Sequence, residues 1–191
     1  PYTTLFRSAE LLTAFRTVYP DIIGAYEKIR FSTKDLPESQ FLYGEQAPEP
    51  LLVTENGVQF ATYLNEGLMT GIFLDQKEVR KKLRDQFSER RHVLNLFSYT
   101  GAFSVIAAEN ANSTTSVDLA NRSRGLTEEN FGLNGINPKS QYIYVMDTFD
   151  FYNYAGRHGH QYDTIVIDPP SFARNKKKTF SVQKDYNLLI E

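Results

Sequence analysis

The sequence predicts an α/β fold: a parallel sheet with flanking helices on both faces, preceded by a small α+β segment that contains a β-hairpin. Three observations carry this. Four short β-forming runs, at 92–97, 114–118, 142–145 and 162–168, alternate with helical patterns, the signature of βαβ units. Each run leads into polar residues where the next helix would start. Upstream, two β-forming arms at 51–55 and 58–64 flank Asn56-Gly57, a dipeptide that supplies the positive φ of a type I′ hairpin turn.

The elements follow in order. Residues 1–8 read as a non-native remnant and are set apart from the fold. Residues 9–75 form the small α+β segment, with a short helix over 9–16 that ends near Pro20 and an irregular stretch punctuated by Pro37, Pro48 and Pro50. After the hairpin, 70–74 is extended. Residues 76–89 then form an amphipathic helix, with Val79, Leu83 and Phe87 at helical spacing. The core spans 76–191. Its helices are expected at 102–110, 121–134 (closed by Gly135) and 149–155, and its last strand stops at Pro169-Pro170. Residues 186–191 stop inside an apolar helical pattern, so the chain reads as C-terminally truncated, and the 191-residue piece alone is expected to be inactive.

Composition narrows the chemistry. With 21 Lys+Arg against 23 Asp+Glu the net charge is −2, so any nucleic-acid contact rests on a local patch. The 14 Phe and 12 Tyr supply ample surface to bury, which argues against disorder. Cys is 0, which excludes disulfides, thiolate metal sites and a cysteine nucleophile within these residues. No apolar run is long enough to span a bilayer. His158 and His160 form an H-x-H in a Gly-rich stretch, which reads as a surface loop, and no metal site is expected.

In an open parallel sheet, ligands bind beyond the carboxyl ends of the strands. Here those ends carry Ser98-Tyr99-Thr100-Gly101, Asp118, Asp147 and Asp168. A single Asp there is as readily a helix cap; four polar ends at matching positions point to a rim. Gly101 would let the backbone approach a ligand closely. The turn has one glycine where a dinucleotide turn has three, so it fits a nucleoside with an amino-acid tail better than NAD. Asp118 sits where an acid accepts from ribose hydroxyls, and Asp147, with Phe149 nearby, could take a purine amino group. Asp168-Pro169-Pro170-Ser171-Phe172 is a stiff corner with a carboxylate and an aromatic ring, suited to a planar base. The run Arg174, Lys176, Lys177, Lys178 beside it offers phosphate contacts.

The stretch from Asn95 through Phe97 and Gly101 to Ser104, the Ser116-Val117-Asp118 step, and the run from Asp168 to Arg174 resemble the class I S-adenosylmethionine-dependent methyltransferases that modify bases of large-subunit ribosomal RNA, the cytosine-C5 and guanine-N7 kinds. The segment from Thr70 to Gln76 resembles the family's lead-in to the first core strand, with Met69 standing where a basic residue is expected and Lys77 where the family usually has Arg. The resemblance implies a Rossmann-like core, S-adenosyl-L-methionine as cofactor, ribosomal RNA as partner, a cytoplasmic setting, and neither membrane nor metal. It assigns cofactor contacts to Asp75, Gln76, Asn95, Phe97, Ser98, Tyr99, Thr100, Gly101, Asp118, Leu119, Asp147, Thr148 and Phe149. Asp168, Pro169 and Phe172 would face the target base.

Both branches stay open at this point. Cytosine C5 needs a cysteine nucleophile, and none is present in these residues. Guanine N7 has its own lone pair and needs only alignment; the Ser171-Phe172 corner and residues 180–186 look more like that branch. Two rival functions are a nicotinamide-dependent oxidoreductase on a similar sheet and a catalytically inactive RNA-binding module.

Overall fold

The computed structural model describes residues 5–30, 37–174 and 179–190, with the side chains of 5–7, 172–174 and 179 left aside. The elements are α1 (Leu5–Val18), β1 (Gly24–Lys28), β2 (Ser39–Gly44), β3 (Leu51–Glu55), β4 (Val58–Thr62), α2 (Lys77–Lys82), β5 (His92–Leu96), α3 (Ala102–Ala107), β6 (Ser113–Asp118), α4 (Asn121–Leu133), β7 (Tyr142–Val145), α5 (Thr148–His158), β8 (Thr164–Ile167), β9 (Phe172–Arg174), β10 (Thr179–Ser181) and α6 (Val182–Asp185). The chain divides into two compact units, Pro1–Val53 with Ala61–Gly71, and Thr54–Phe60 with Ile72–Glu191.

In the first unit β1 and β2 pair antiparallel, with a register shift between Ala25 and Tyr26. Sequence patterning gives no strand here, because every side chain of β1 is half-buried and no apolar alternation marks a face. The Lys28 ammonium donates to the carbonyls of Leu64 (2.7 Å) and Gly67 (2.9 Å), which folds the 64–67 turn back onto the strand. Burial lowers its pKa, against the opposing pull of Glu49 and Glu38. The predicted hairpin is present as β3 and β4, with Asn56 at φ 53 and Gly57 at φ 85.

The second unit is a Rossmann-like sheet of four parallel strands in the order β7-β6-β5-β8. The order reverses at β5, where crossovers leave toward opposite edges, and this is the crevice position in such folds. Alternation along β5 splits the core into two layers. Leu94 and Leu96 pack with Val117, Phe151 and Ala155 on the α5 side. Val93 packs with Leu83, Phe103 and Ala107 on the α3 side. Each fully buried side chain of this kind stabilises by about 1.5–3 kcal/mol, so the helices on both faces follow from two interleaved apolar stripes.

Three local expectations are corrected. Residues 70–74 are not a strand: Gly71 takes φ 129 and Leu74–Gln76 form a 3-10 turn. The helix expected over 76–89 is α2 followed by a π turn over Leu83–Phe87. Of its predicted apolar stripe only Leu83 is buried (5% exposed), while Val79 is 58% exposed. The inward face is rotated because Arg80, 1% exposed, turns in to meet Glu55 at 2.7 Å. Beyond Pro170, past the last strand that the sequence predicts, the chain forms an antiparallel pair, β9 with β10. The lysines of the basic run, 176–178, lie outside the described residues.

Candidate functional site

Strand register brings the strand ends level. Leu96 is opposite both Val117 and Ile167, and Asp118 is opposite Val145. Phe97, Asp118 and Asp168 are therefore each one step beyond the same row, and Asp147 is two steps beyond Val145. The four polar ends share one rim, as the sequence leads one to expect.

The turn after β5 is tightly made. Phe97 (φ 57), Tyr99 (φ 50) and Gly101 (φ 73) all take positive φ, alternating with Ser98 and Thr100. Positive φ is costly for the two non-glycine residues, so the surroundings must hold it. Tyr99 N–H donates to Asp118 Oδ2 at 2.8 Å, Ser98 N–H to Val117 O at 3.0 Å, and Gly101 N–H to Ser98 O at 2.7 Å. Asn130 Nδ2 donates to Thr100 O at 2.9 Å from α4. Ser98 and Thr100 are buried.

Two residues here have packing roles as well. A Cβ on Gly101 would lie 2.5 Å from Thr127 Cγ2, so the missing side chain admits helix α4. Asn95 is 1% exposed. It donates to Ser104 Oγ (3.0 Å), which also accepts from Ser116 Oγ (2.7 Å), so Asn95 supports α3 from inside the sheet.

The acids hold the rim together. Asp118 accepts from Tyr99 N–H through Oδ2 and from Ala120 N–H through Oδ1 (2.8 Å), joining the β5 turn to the start of α4. A carboxylate has about four acceptor positions, so both oxygens retain capacity for hydroxyl donors. Leu119 beside it is 47% exposed. Asp147 caps α5, accepting from Phe149 N–H at 3.0 Å. Thr148 is buried and Phe149 half-buried. Asp168 is half-buried, and its Oδ2 accepts from Gln76 Nε2 at 2.8 Å. Asp75 is exposed, and Pro169 half-buried. Phe172 begins β9; its side chain lies outside the described residues.

Aromatic residues beyond the predicted set complete the rim. The Phe180 ring is 6.0 Å from Phe97 and 6.3 Å from Phe149, and the Phe73 ring is 5.8 Å from Tyr99. None of these three contacts is visible as spacing, since each joins segments far apart in sequence. His158 and His160 instead flank Tyr154, at ring distances of 4.1 and 5.7 Å. Among the described residues no group of three or more His, Asp or Glu is placed to hold a metal ion, and no helix is long and apolar enough to cross a membrane.

The rim thus presents carboxylate acceptors, half-buried rings and an exposed leucine around the turn that follows β5. It suits a ligand with hydroxyl and amino donors and a flat apolar base.

Comparison with known proteins agrees with this chemistry. The sequence profile of the family described as "S-adenosylmethionine-dependent methyltransferase" matches residues 9–191. The chain is 47% identical over 184 residues to a Bacillus subtilis protein provisionally named ribosomal RNA large subunit methyltransferase YwbD, covering 95% of this chain and 46% of that protein. It is 38% identical over 172 residues to ribosomal RNA large subunit methyltransferase K of Neisseria meningitidis, covering 87% and 48%. The crystal structure of SMU.776, a provisionally named methyltransferase complexed with SAH, superposes with a TM-score of 0.90 at 52% identity, covering 100% of this chain and 48% of that one. The chain spans about half the length of these relatives. Its strand order, its level rim of acids and the match over 9–191 place it in the S-adenosylmethionine-dependent methyltransferase family.

Proposed function

We propose that the protein transfers a methyl group from S-adenosylmethionine to a base of large-subunit ribosomal RNA, with guanine N7 as the acceptor atom. The observation that carries the reading is the Asp118–Tyr99 link, which folds a strained turn against a strand-end carboxylate, in a chain 52% identical to one complexed with SAH. The donor set fits the cofactor. Asp118, Asp147 and Asp168 would repel a pyrophosphate, which argues against the nicotinamide reading, but they accept from hydroxyl, amino and ammonium groups.

When bound, S-adenosylmethionine supplies an electrophilic methyl group on a sulfonium. The turn from Ser98 to Gly101 receives the amino-acid tail, Asp118 takes the ribose hydroxyls, and Leu119, Asp147 and Phe149 take the adenine. The corner at Asp168, Pro169 and Phe172 holds the target base by its polar edge and its face. Such a site works by orientation, which is worth several powers of ten when reacting atoms are aligned and water is excluded. A ring nitrogen carries its own lone pair and asks for nothing else. A cytosine C5 acceptor asks for a thiolate first; guanine is preferred because the Ser171-Phe172 corner and residues 180–186 look more like the guanine-N7 branch. The RNA substrate is supported by the names of the two relatives above, and a cytoplasmic setting follows from it.

The test has two parts. Calorimetry with S-adenosylmethionine and with NAD is expected to give binding for the first alone. Transfer of labelled methyl to unmodified large-subunit RNA by the full-length protein, followed by nucleoside mass spectrometry, is expected to give 7-methylguanosine. 5-Methylcytidine would overturn the choice of acceptor, and unlabelled RNA would overturn the substrate.

A further inference from the structure

Gln76 is expected from sequence to hold the cofactor, yet its amide is engaged at the other end of the site. Its Nε2 donates to Asp168 Oδ2 at 2.8 Å, across 92 residues of sequence. Both residues are half-buried. Gln76 closes the 3-10 turn Leu74–Gln76, and that turn is held from behind. Arg80, 1% exposed, grips Glu55 through Nε (2.7 Å) and Nη2 (2.8 Å), and Nη2 also donates to Phe73 O at 2.7 Å. The Phe73 ring meets Tyr99 of the β5 turn. A buried, doubly bonded ion pair therefore fixes the backbone from which Gln76 reaches Asp168.

We infer that Gln76 is a positioning residue for the acceptor base: its amide fixes the Asp168 carboxylate so that the remaining acceptor positions face a base edge bearing N–H donors. The inference rests on the methyltransferase reading above. Its chemistry is specific. A carboxylate accepts only, and the Gln76 amide satisfies one of its positions. What remains is complementary to a purine edge that offers adjacent ring N–H and amino donors, as guanine does. Cytosine places a ring-nitrogen acceptor beside its amino group and would meet the carboxylate with like polarity. An unheld carboxylate would swing about its two side-chain torsions and lose that register.

The experiment compares the full-length wild-type protein with its Gln76→Ala and Gln76→Glu variants. S-adenosylmethionine affinity is read by calorimetry, and methyl transfer to unmodified large-subunit RNA is read across pH 5.5–9. Gln76→Ala is expected to lower transfer by about a hundredfold, the scale of a small misplacement of a reacting group, with cofactor affinity unchanged. Gln76→Glu sets two carboxylates against each other. It is expected to be inactive at pH 8 and to regain transfer toward pH 5.5, as the pair shares one proton; wild type gains nothing there. Equal losses of cofactor affinity and transfer in Gln76→Ala would overturn the inference and return Gln76 to the cofactor. So would a Gln76→Glu profile parallel to that of wild type. Absence of cofactor binding by wild type would instead overturn the methyltransferase reading itself.

Discussion

At the scale of single residues, Asp118 and Gly101 show two ways in which a motif residue can be required. Asp118 is legible from sequence as a strand-end acid, but sequence says nothing of the two backbone N–H groups it already accepts. Asp118→Ala removes both and, in the proposed role, the ribose contact as well. Hydrogen bonds to a charged group are worth about 1.5–3 kcal/mol. S-adenosylmethionine affinity measured by calorimetry is therefore expected to fall by about ten- to a hundredfold. Asp118→Asn keeps one acceptor oxygen and is expected to fall between the two; affinity equal to wild type in Asp118→Ala would remove this residue from the site. Gly101 is equally legible as a residue that must be glycine, and packing adds a second reason to the one sequence suggests. Its φ is 73 and its missing Cβ would strike Thr127. A left-handed backbone costs an alanine about 1–2 kcal/mol before any clash. Urea unfolding of Gly101→Ala is expected to show at least that loss. The loss is expected to shrink in a Thr127→Ala background, because only the clash is relieved there.

At the scale of elements, legibility followed the strength of the hydrophobic pattern. β5, β7 and β8 were readable because each is a short run rich in apolar or aromatic residues, and β6 because its Thr114-Thr115-Ser116-Val117 run, rich in β-formers, ends in a carboxylate. The β1–β2 hairpin was not, since its side chains are half-buried with no dominant face. The β9–β10 hairpin was not, because Pro169-Pro170 signals a chain exit and gives no hint of a return. The instructive miss is α2, where Val79, Leu83 and Phe87 promise a core stripe. That reading treats every charged residue as outward. Arg80 defeats it by carrying its own counter-charge: Glu55, on the tip of the β3–β4 hairpin, is 6% exposed. A pair 25 residues apart leaves no periodic trace in the sequence. Removing one member of a buried pair strands the other charge and costs about 3–5 kcal/mol. Glu55→Ala and Arg80→Ala are each expected to lose stability on that scale by chemical denaturation. The double variant is expected to lose clearly less than the sum, because no uncompensated charge remains. Additive losses would show that the two side chains act independently.

At the scale of the whole sheet unit, the α5 side of the core is built from phenols as much as from hydrocarbon, and this gives its stability a pH dependence that composition alone does not reveal. Tyr144 of β7 packs on Phe151 at 5.1 Å and on Tyr154 at 5.5 Å, and Tyr162, just before β8, lies 6.4 Å from Phe151. Tyr152 donates its hydroxyl to Leu189 O at 2.8 Å, tying the C-terminal 3-10 turn to α5. Burial, with the Tyr154 hydroxyl as hydrogen-bond partner, pushes the Tyr144 phenol up to about 12. Burial also raises Tyr152, and raises Tyr162 against a smaller downward pull from the Thr115 hydroxyl. Each group is neutral when protonated, and the folded state holds its proton to higher pH than the unfolded chain, whose phenols titrate near pH 10. The folded state therefore binds more protons above that point, and stability falls with rising pH only there. The contribution is fully present below about pH 10 and is lost as pH climbs through 12, the folded value for Tyr144. Urea midpoints should be level in their tyrosine component between pH 8 and 9 and drop steadily from 10 to 12. Tyr144→Phe should flatten part of that drop while leaving the folded spectrum intact, since it removes the ionisable hydroxyl and keeps the ring. Tyrosinate absorbance provides the independent check: a fraction of the phenols should titrate late and together with unfolding. If all 12 tyrosines titrated in one step near pH 10 with the protein still folded, the phenolic face of the core would be open to water and its packing different from that described.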